Sequence, residues 1–438
     1  MKFCILIFIL CHSHSLLYQI TTETLQDLIL VPLCLGTPRQ CFKFVFDTGS
    51  FSLWVNENKT SERYFNFTAS STYKSLMTFM NLSYKSGNVL GLVSQDKIQF
   101  DNSSEFNSSN DFNFIIAKEK TIKDSLNGII GFARNYSSNI LSNINDNKTA
   151  NISPLNFSFI NYLHSNHIID TKIFSYKNIN NSYGILFIGE KGIEEYKKCF
   201  PSPIKEEYAV LKSIVYMFNK NYWTCKIYQF KYENETDVSY FNSDGHFFQA
   251  MFDSGSSLLQ LPRQFYDVII DDYLRMSEGK CKKKKKMNAM MCDSTFDIET
   301  LTRYKVNLYN FTIEFLPIDL VKAILNRTEE TMYMFMFIPG SDDNFVIGNN
   351  IMKRYHFIFD MNDNSVGASV NDEYNGNVTL SHFNEKYITK FAFEISVKKI
   401  IFVLLSLIVS LGIVLTYKDK EIINLIVKEY KENNIELI

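Results

Sequence analysis

Asp47 and Asp253 stand in the same local setting, as Phe46-Asp47-Thr48-Gly49-Ser50 and Phe252-Asp253-Ser254-Gly255-Ser256. One such turn is an ordinary surface loop. Two of them, each led by an apolar strand (Phe42 to Phe46 and Phe248 to Phe252) and lying in different halves of the chain, point to a paired site. Two carboxyl groups about 3 Å apart cannot both ionise, so the pair holds one proton over a broad acidic range. The ionised member can take a proton from a water, while the protonated member polarises a carbonyl and stabilises the oxyanion that develops. That is the chemistry of amide hydrolysis with no metal and no covalent intermediate. Gly49 and Gly255 allow a tight turn beside each acid and leave an amide free to donate to it. Ser50 and Ser256 are expected to hydrogen-bond the outer oxygen of their own Asp. The dyad titrates as one system, so neither acid owns a separate pKa.

Two such loops require two similar scaffolds, and the chain reads as a duplicated β-domain, 16–199 and 200–383. Alternating apolar stretches at Tyr183–Ile188 and Val306–Phe315 predict strands. Short helices are expected at Phe157–His164 and Pro262–Leu274. The Asn/Ser-rich stretches Asp101–Asp111 and Asn135–Asn151 read as loops. Abundant Phe and Tyr (38 and 25) with only 17 Gly suit a β-rich protein with a large core.

With these pieces in order, the chain resembles the pepsin-like aspartic endopeptidases over nearly all of residues 28–370. Leu35-Gly36-Thr37-Pro38-Arg39-Gln40 resembles the family's turn before the first Asp, and Trp54 matches a Trp that follows it. Ser70-Ser71-Thr72-Tyr73 resembles the approach to the flap. Tyr84 to Gly91 resembles the flap itself, with Tyr84 as its tyrosine. Asn127 to Ala133 and Val346-Ile347-Gly348 are similar to the elements that support the two Asp loops, and Phe359-Asp360 and Val366-Gly367 match the closing strands. The resemblance implies an all-β dominated, bilobal double β-barrel with a cleft between the lobes. It assigns Asp47 and Asp253 as catalytic, with Thr48, Gly49, Ser50, Ser254, Gly255 and Ser256 as their support. Tyr84, Trp54, Val45, Leu126 and Ile129 would contact substrate, and Tyr222-Trp223 would face the leaving-group side. Large apolar walls imply a hydrophobic residue at the cleavage site, on an extended peptide bound under the flap. Two positions depart from the family pattern. Lys85 replaces a small Gly after the flap tyrosine and puts a cation at the flap tip, and Asn349 replaces an Asp after the second support element.

A formal charge of −2 gives no electrostatic case for a nucleic-acid partner. No cofactor motif, phosphate-cradling loop or metalloprotease helix is present, so no cofactor and no metal are expected. His164-x-x-His167 reads as a surface pair, and Asp342-Asp343 as a turn.

The ends predict a location. A short apolar run after Met1-Lys2 reads as a signal peptide, 1–15. The apolar run Ile400–Tyr417, about 18 residues, can cross a core of ~30 Å, so 397–417 is expected to be a transmembrane helix. A juxtamembrane linker (384–396) would precede it and a cytoplasmic tail (418–438) follow. Together they imply a single-pass type I membrane protein of the secretory pathway, with the catalytic part lumenal or extracellular; a monomer is expected, with no sequence feature that fixes it. Outside the signal peptide, Cys34, Cys41, Cys199, Cys225, Cys281 and Cys292 fit an oxidising compartment. Connectivity is open on sequence alone, and proximity favours Cys34–Cys41, Cys199–Cys225 and Cys281–Cys292. The last pair would close a solvated bulge carrying Lys282 to Lys286. Asn-x-Ser/Thr sequons recur, at Asn66, Asn147, Asn234 and Asn377 among others. A glycan at the Asn81 sequon is expected to crowd the cleft, which argues against its use. The family's basic prosegment has no counterpart between the signal peptide and the first domain, so control is expected from location, pH or an inhibitor. The expected partners are protein or peptide substrates. The alternative function is a non-catalytic, pepsin-like peptide-binding membrane protein.

Overall fold

Alternating burial along the strands sets the architecture, and the protein is mostly β with few helices. The structure, a computed structural model, describes residues 19–25, 28–57, 64–100, 111–122, 127–134, 157–178, 183–189, 209–212, 222–232, 248–284, 289–308, 311–325, 331–340 and 344–370. The chain divides into Met1–Ser381, which holds all of these, and His382–Ile438. The signal peptide, linker, membrane span and tail expected from sequence lie outside the described residues, as do Leu126, Cys199 and Asp342-Asp343. Among the described residues no helix is long and apolar enough to cross a membrane.

Each half builds the same device around its Asp. In the first, Gln40–Asp47 runs parallel to Gly128–Gly131, pairing Asp47 with Gly131. Leu53–Asn56 returns antiparallel on the other side of Gly128–Gly131. In the second, Gln249–Asp253 runs parallel to Asn344–Gly348, pairing Asp253 with Gly348, and Leu259–Leu261 returns against that strand. A strand supplied from far along the chain is thus clamped between the two arms of each Asp loop. Each loop therefore emerges at a strand end held on both sides.

The first device belongs to a 14-stranded sheet that continues through Leu28–Leu35, Gln19–Leu25, Tyr183–Ile188 and Ile173–Asn178 to Tyr355–Asp360, Ser365–Val370 and Ala209–Lys212. The second belongs to a seven-stranded sheet, and a four-stranded sheet flanks it. Aromatic rings fill the space beneath Asp47. Phe46 meets Phe132 at 4.7 Å between ring centroids, Phe132 meets Phe174 at 5.1 Å, and Phe174 stacks on Phe359 at 4.9 Å. Rings of this size remove much apolar surface from water and leave little room for the strand to shift.

Several sequence expectations are redrawn. The helices run over Phe159–Ser165 and Arg263–Met276. The first is capped by Ser158, whose hydroxyl accepts from the Asn161 amide. Val306–Phe315 is not one strand but part of a hairpin, Tyr304–Leu308 against Phe311–Phe315. The apolar alternation changes phase between Leu308 and Phe311, and that shift is the signal of two arms. Lys282–Lys284 sit in a strand, Cys281–Lys284, rather than in a bulge. Cys34–Cys41 and Cys281–Cys292 are disulfides between directly opposed strand residues. The expected Cys199–Cys225 bridge does not form. Cys225 is a free, buried thiol on the core face of Thr224–Tyr232, alongside Ile227, where the alternation of the strand turns it inward.

One buried ion pair braces the second half. Arg354 Nε donates to Asp319 Oδ2 at 2.5 Å, with both side chains 4% exposed. Burial raises the Asp319 pKa, and the guanidinium opposes that rise. Removing one partner strands the other charge, so Asp319→Ala is expected to cost about 3–5 kcal/mol of stability in urea unfolding. The Asp319→Leu/Arg354→Met double variant should recover most of the loss, since it leaves no charge buried.

Candidate active site

The two Asp loops meet face to face. Asp47 is 4% exposed, and the two carboxyl groups hydrogen-bond each other. The Gly49 amide donates to Asp47 Oδ1 at 2.8 Å, and the Gly255 amide to Asp253 Oδ1 at 3.0 Å. Glycine is demanded here by close approach. A Cβ on Gly49 would lie 2.5 Å from Asp253 Oδ1, and one on Gly255 would collide with Asp47.

Thr48 and Ser254 exchange hydrogen bonds across the pair. The Thr48 hydroxyl donates to Phe252 O at 2.8 Å and accepts from the Ser254 amide at 3.0 Å. The Ser254 hydroxyl donates to Phe46 O at 2.8 Å and accepts from the Thr48 amide at 3.0 Å. Each hydroxyl so satisfies backbone groups on both sides of the other half's acid. Four bonds buried from water hold the acids in register. Support also comes from below, where the Phe132 amide donates to Asp47 O at 2.7 Å and the Asn349 amide to Ser256 O at 2.7 Å.

The serines behave differently from the expectation. Ser256 Oγ donates to Leu258 O at 3.1 Å, within its own loop, so its hydroxyl is engaged away from Asp253. Ser50 lies beside Asp47 and favours its charged form, but its buried hydroxyl makes no hydrogen bond of good geometry. The Tyr84 hydroxyl, Trp54 Nε1 and Ser52 Oγ are buried nearby in the same condition. Burial, then the charge of Asp47, raises the Tyr84 pKa, so its phenol stays protonated.

Tyr84 ends the first arm of a hairpin, Lys74–Tyr84 against Gly87–Asp96, the segment expected from sequence to be the flap. Its inner face buries Met80, Leu82, Val89 and Val93 in one cluster with Val45, Trp54, Ile115 and Ile129, against which Tyr84 packs. Three of the expected contact residues thus lie in this cluster beneath Tyr84. Tyr222 senses both acids, whose charges add to burial in raising its pKa, whereas its neighbour Trp223 turns into the core and donates from Nε1 to Phe132 O at 2.8 Å. Successive residues of extended chain point to opposite sides, so only the first of the pair faces the dyad. Asn81 is exposed on the outer face of the hairpin, opposite Leu90, so a glycan there would point away from the dyad rather than into it. His164 and His167 lie in and just after the helix Phe159–Ser165, near the surface, and no metal-binding cluster occurs among the described residues.

Burial raises the pKa of both acids. For Asp253 the charge of Asp47 adds to burial and holds it well above the usual carboxylate range. For Asp47 the neighbouring Ser50 and the Asp253 carboxyl, with the Gly49 amide, oppose burial. The pair therefore retains a proton where isolated carboxylates would have lost it. A raised pKa means that the folded state binds this proton more tightly than the unfolded chain, so its stabilising effect is present at low pH. Stability from this source is lost as pH rises from about 3.9 through the raised value. Urea midpoints measured from pH 4 to 8 are expected to fall over that window, and Asp253→Asn should flatten the fall.

Two facing carboxyls within hydrogen-bonding reach, Asp47 buried and Asp253 partly so, on duplicated strand clamps are the arrangement of a two-carboxylate hydrolase. A family model for eukaryotic aspartyl proteases matches residues 30–370. The chain is 25% identical to pepsin A of Gallus gallus over 372 residues, covering 80% of this chain and 86% of that protein. It is 26% identical to gastricsin of Oryctolagus cuniculus, covering 76% and 79%. It is 24% identical to vacuolar protease A of Neurospora crassa, covering 77% of each. The chain belongs to the eukaryotic aspartyl protease family and is an aspartic-type endopeptidase.

Sequence reasoning missed Gln260, which reaches the flap from the opposite half. A glutamine inside the short strand Leu259–Leu261 carries no motif, and only the folded contact reveals it.

Proposed function

We propose that Asp47 and Asp253 cleave peptide bonds of protein substrates through a water held between them. The observation that carries this reading is the facing of the two carboxyls, Asp47 buried and Asp253 partly so, with each Asp loop locked to the other by Thr48 and Ser254. The ionised member takes the proton of the water as it attacks the scissile carbonyl. The protonated member donates to the carbonyl oxygen. As the C–N bond breaks, the proton taken from the water passes to the departing amine, and a hydroxyl of the diol returns its proton to the other acid. The apolar cluster of Val45, Trp54 and Ile129 under Tyr84 favours a hydrophobic residue next to the scissile bond. Two disulfides suit folding in the secretory pathway. Within this reading 1–15 directs the chain there, 397–417 anchors it as a type I membrane protein, and the two lobes 16–199 and 200–383 work as a monomer.

The test is cleavage of a broad peptide library by the full chain, from pH 3 to 7, with and without a statine-type inhibitor. Inhibitable cleavage on the acidic side, rich in hydrophobic residues at the cut, supports the proposal. Binding of peptides without turnover would replace it with the peptide-binding reading.

A further inference from the structure

Lys85, at the flap tip, reaches across the cleft to the opposite half. Its Nζ donates to Gln260 Oε1 at 2.7 Å, joining residues 175 positions apart in sequence. Gln260 is 8% exposed and fixed in Leu259–Leu261, where it pairs with Val346 of the strand that supports the Asp253 loop. The amide oxygen orients the ammonium but cannot neutralise it. Among the described residues no carboxylate forms an ion pair with Lys85. The cation is close enough to the dyad for Asp253 to sense its charge. A flap-tip cation with a neutral partner, over the reacting end of a cleft, is half of an ion pair. An extended substrate passes between the flap and the dyad, and its side chains are the groups that can bring the other half.

We propose that Lys85 is a specificity-determining residue that selects substrates carrying a carboxylate side chain, Asp or Glu, beside the scissile bond, with Gln260 as its positioning residue. The inference rests on the proteolysis reading above and adds to it an acidic residue next to the hydrophobic one. The flap tip is partly open to solvent, so the pair is worth a modest, salt-sensitive factor rather than an absolute requirement.

The experiment uses matched fluorogenic peptides with Glu, Gln or Lys placed in turn at each position flanking one cleavable bond. The readout is the ratio of kcat/KM for Glu over Gln within one enzyme, which cancels any common effect of a substitution on the dyad. For the unaltered full chain at pH 5.5 to 6, a ratio of about two- to fivefold is expected at one position. It should shrink in 0.5 M salt, and also below the Glu pKa near 4.3, where the substrate carboxyl is protonated. Lys85→Met should bring the ratio to about one, and Lys85→Glu should turn the preference towards Lys. Gln260→Leu should blunt the ratio without changing its sign. A ratio near one at every position in the unaltered chain, or a preference that survives Lys85→Met, overturns the inference and leaves proteolysis standing. Absence of turnover on all peptides overturns the proteolysis reading and this inference with it.

Discussion

Asp47→Asn is expected to reduce peptide hydrolysis on the order of 10⁴-fold or more, and Asp253→Asn to do the same. Asn keeps the shape of the acid and can still accept from the neighbouring glycine amide, which binds Oδ1 at 2.8 Å in one loop and 3.0 Å in the other. What it cannot do is take or give a proton. The two acids act as one unit, so the double variant should be little worse than either single one. Steady-state kcat at pH 4 to 6 measures the loss, and near-ultraviolet circular dichroism checks that the fold is kept. Residual activity within tenfold of the unaltered enzyme would remove the dyad from the mechanism.

Gly49→Ala and Gly255→Ala test geometry rather than chemistry. Both leave every ionisable group in place. A methyl on Gly49 would stand 2.5 Å from Asp253 Oδ1 and 2.6 Å from its Cγ, well inside contact distance, and Gly255 faces Asp47 in the same way. The facing carboxyl must move, which breaks the shared hydrogen bond and the seat of the water between them. Misplacement of about 1 Å costs around 10²-fold, so kcat should fall 10²- to 10³-fold. The pH profile should change as well. Acids pushed apart repel each other less, so the higher apparent pKa of the pair should drop towards the ordinary range. A variant with low kcat and an unshifted profile would mean that the methyl disturbs something other than the spacing of the acids.

The dyad was legible because its chemistry requires particular residue types in a short run, and the run occurs twice. The crossed bonds of Thr48 and Ser254 were not. Each hydroxyl was visible, but its partner lies more than 200 positions away, and one strand pattern cannot say which backbone it will meet. Ser256 shows the limit from the other side, since a hydroxyl placed to serve its own Asp closes a local turn with Leu258 instead. The strands Gln40–Asp47 and Gln249–Asp253 followed from apolar runs, whereas the hairpin inside Val306–Phe315 reads as one strand, although its apolar positions shift phase between Leu308 and Phe311. Gln260 and the inward turn of Cys225 depended on tertiary contacts that leave no local trace.

The free thiol of Cys225 gives this protein an internal clock. Burial pushes its pKa up to about 12, and 4% exposure leaves an alkylating reagent no access while the core is closed. Labelling at this one position, followed by mass spectrometry of its peptide, therefore proceeds only through openings that lift Thr224–Tyr232 from the core. When reclosing outpaces the reagent, the rate gives the free energy of opening. When the reagent is faster, it gives the opening rate itself. Run with and without a bound inhibitor, the same reaction would report how far occupancy of the cleft tightens the interior beneath it.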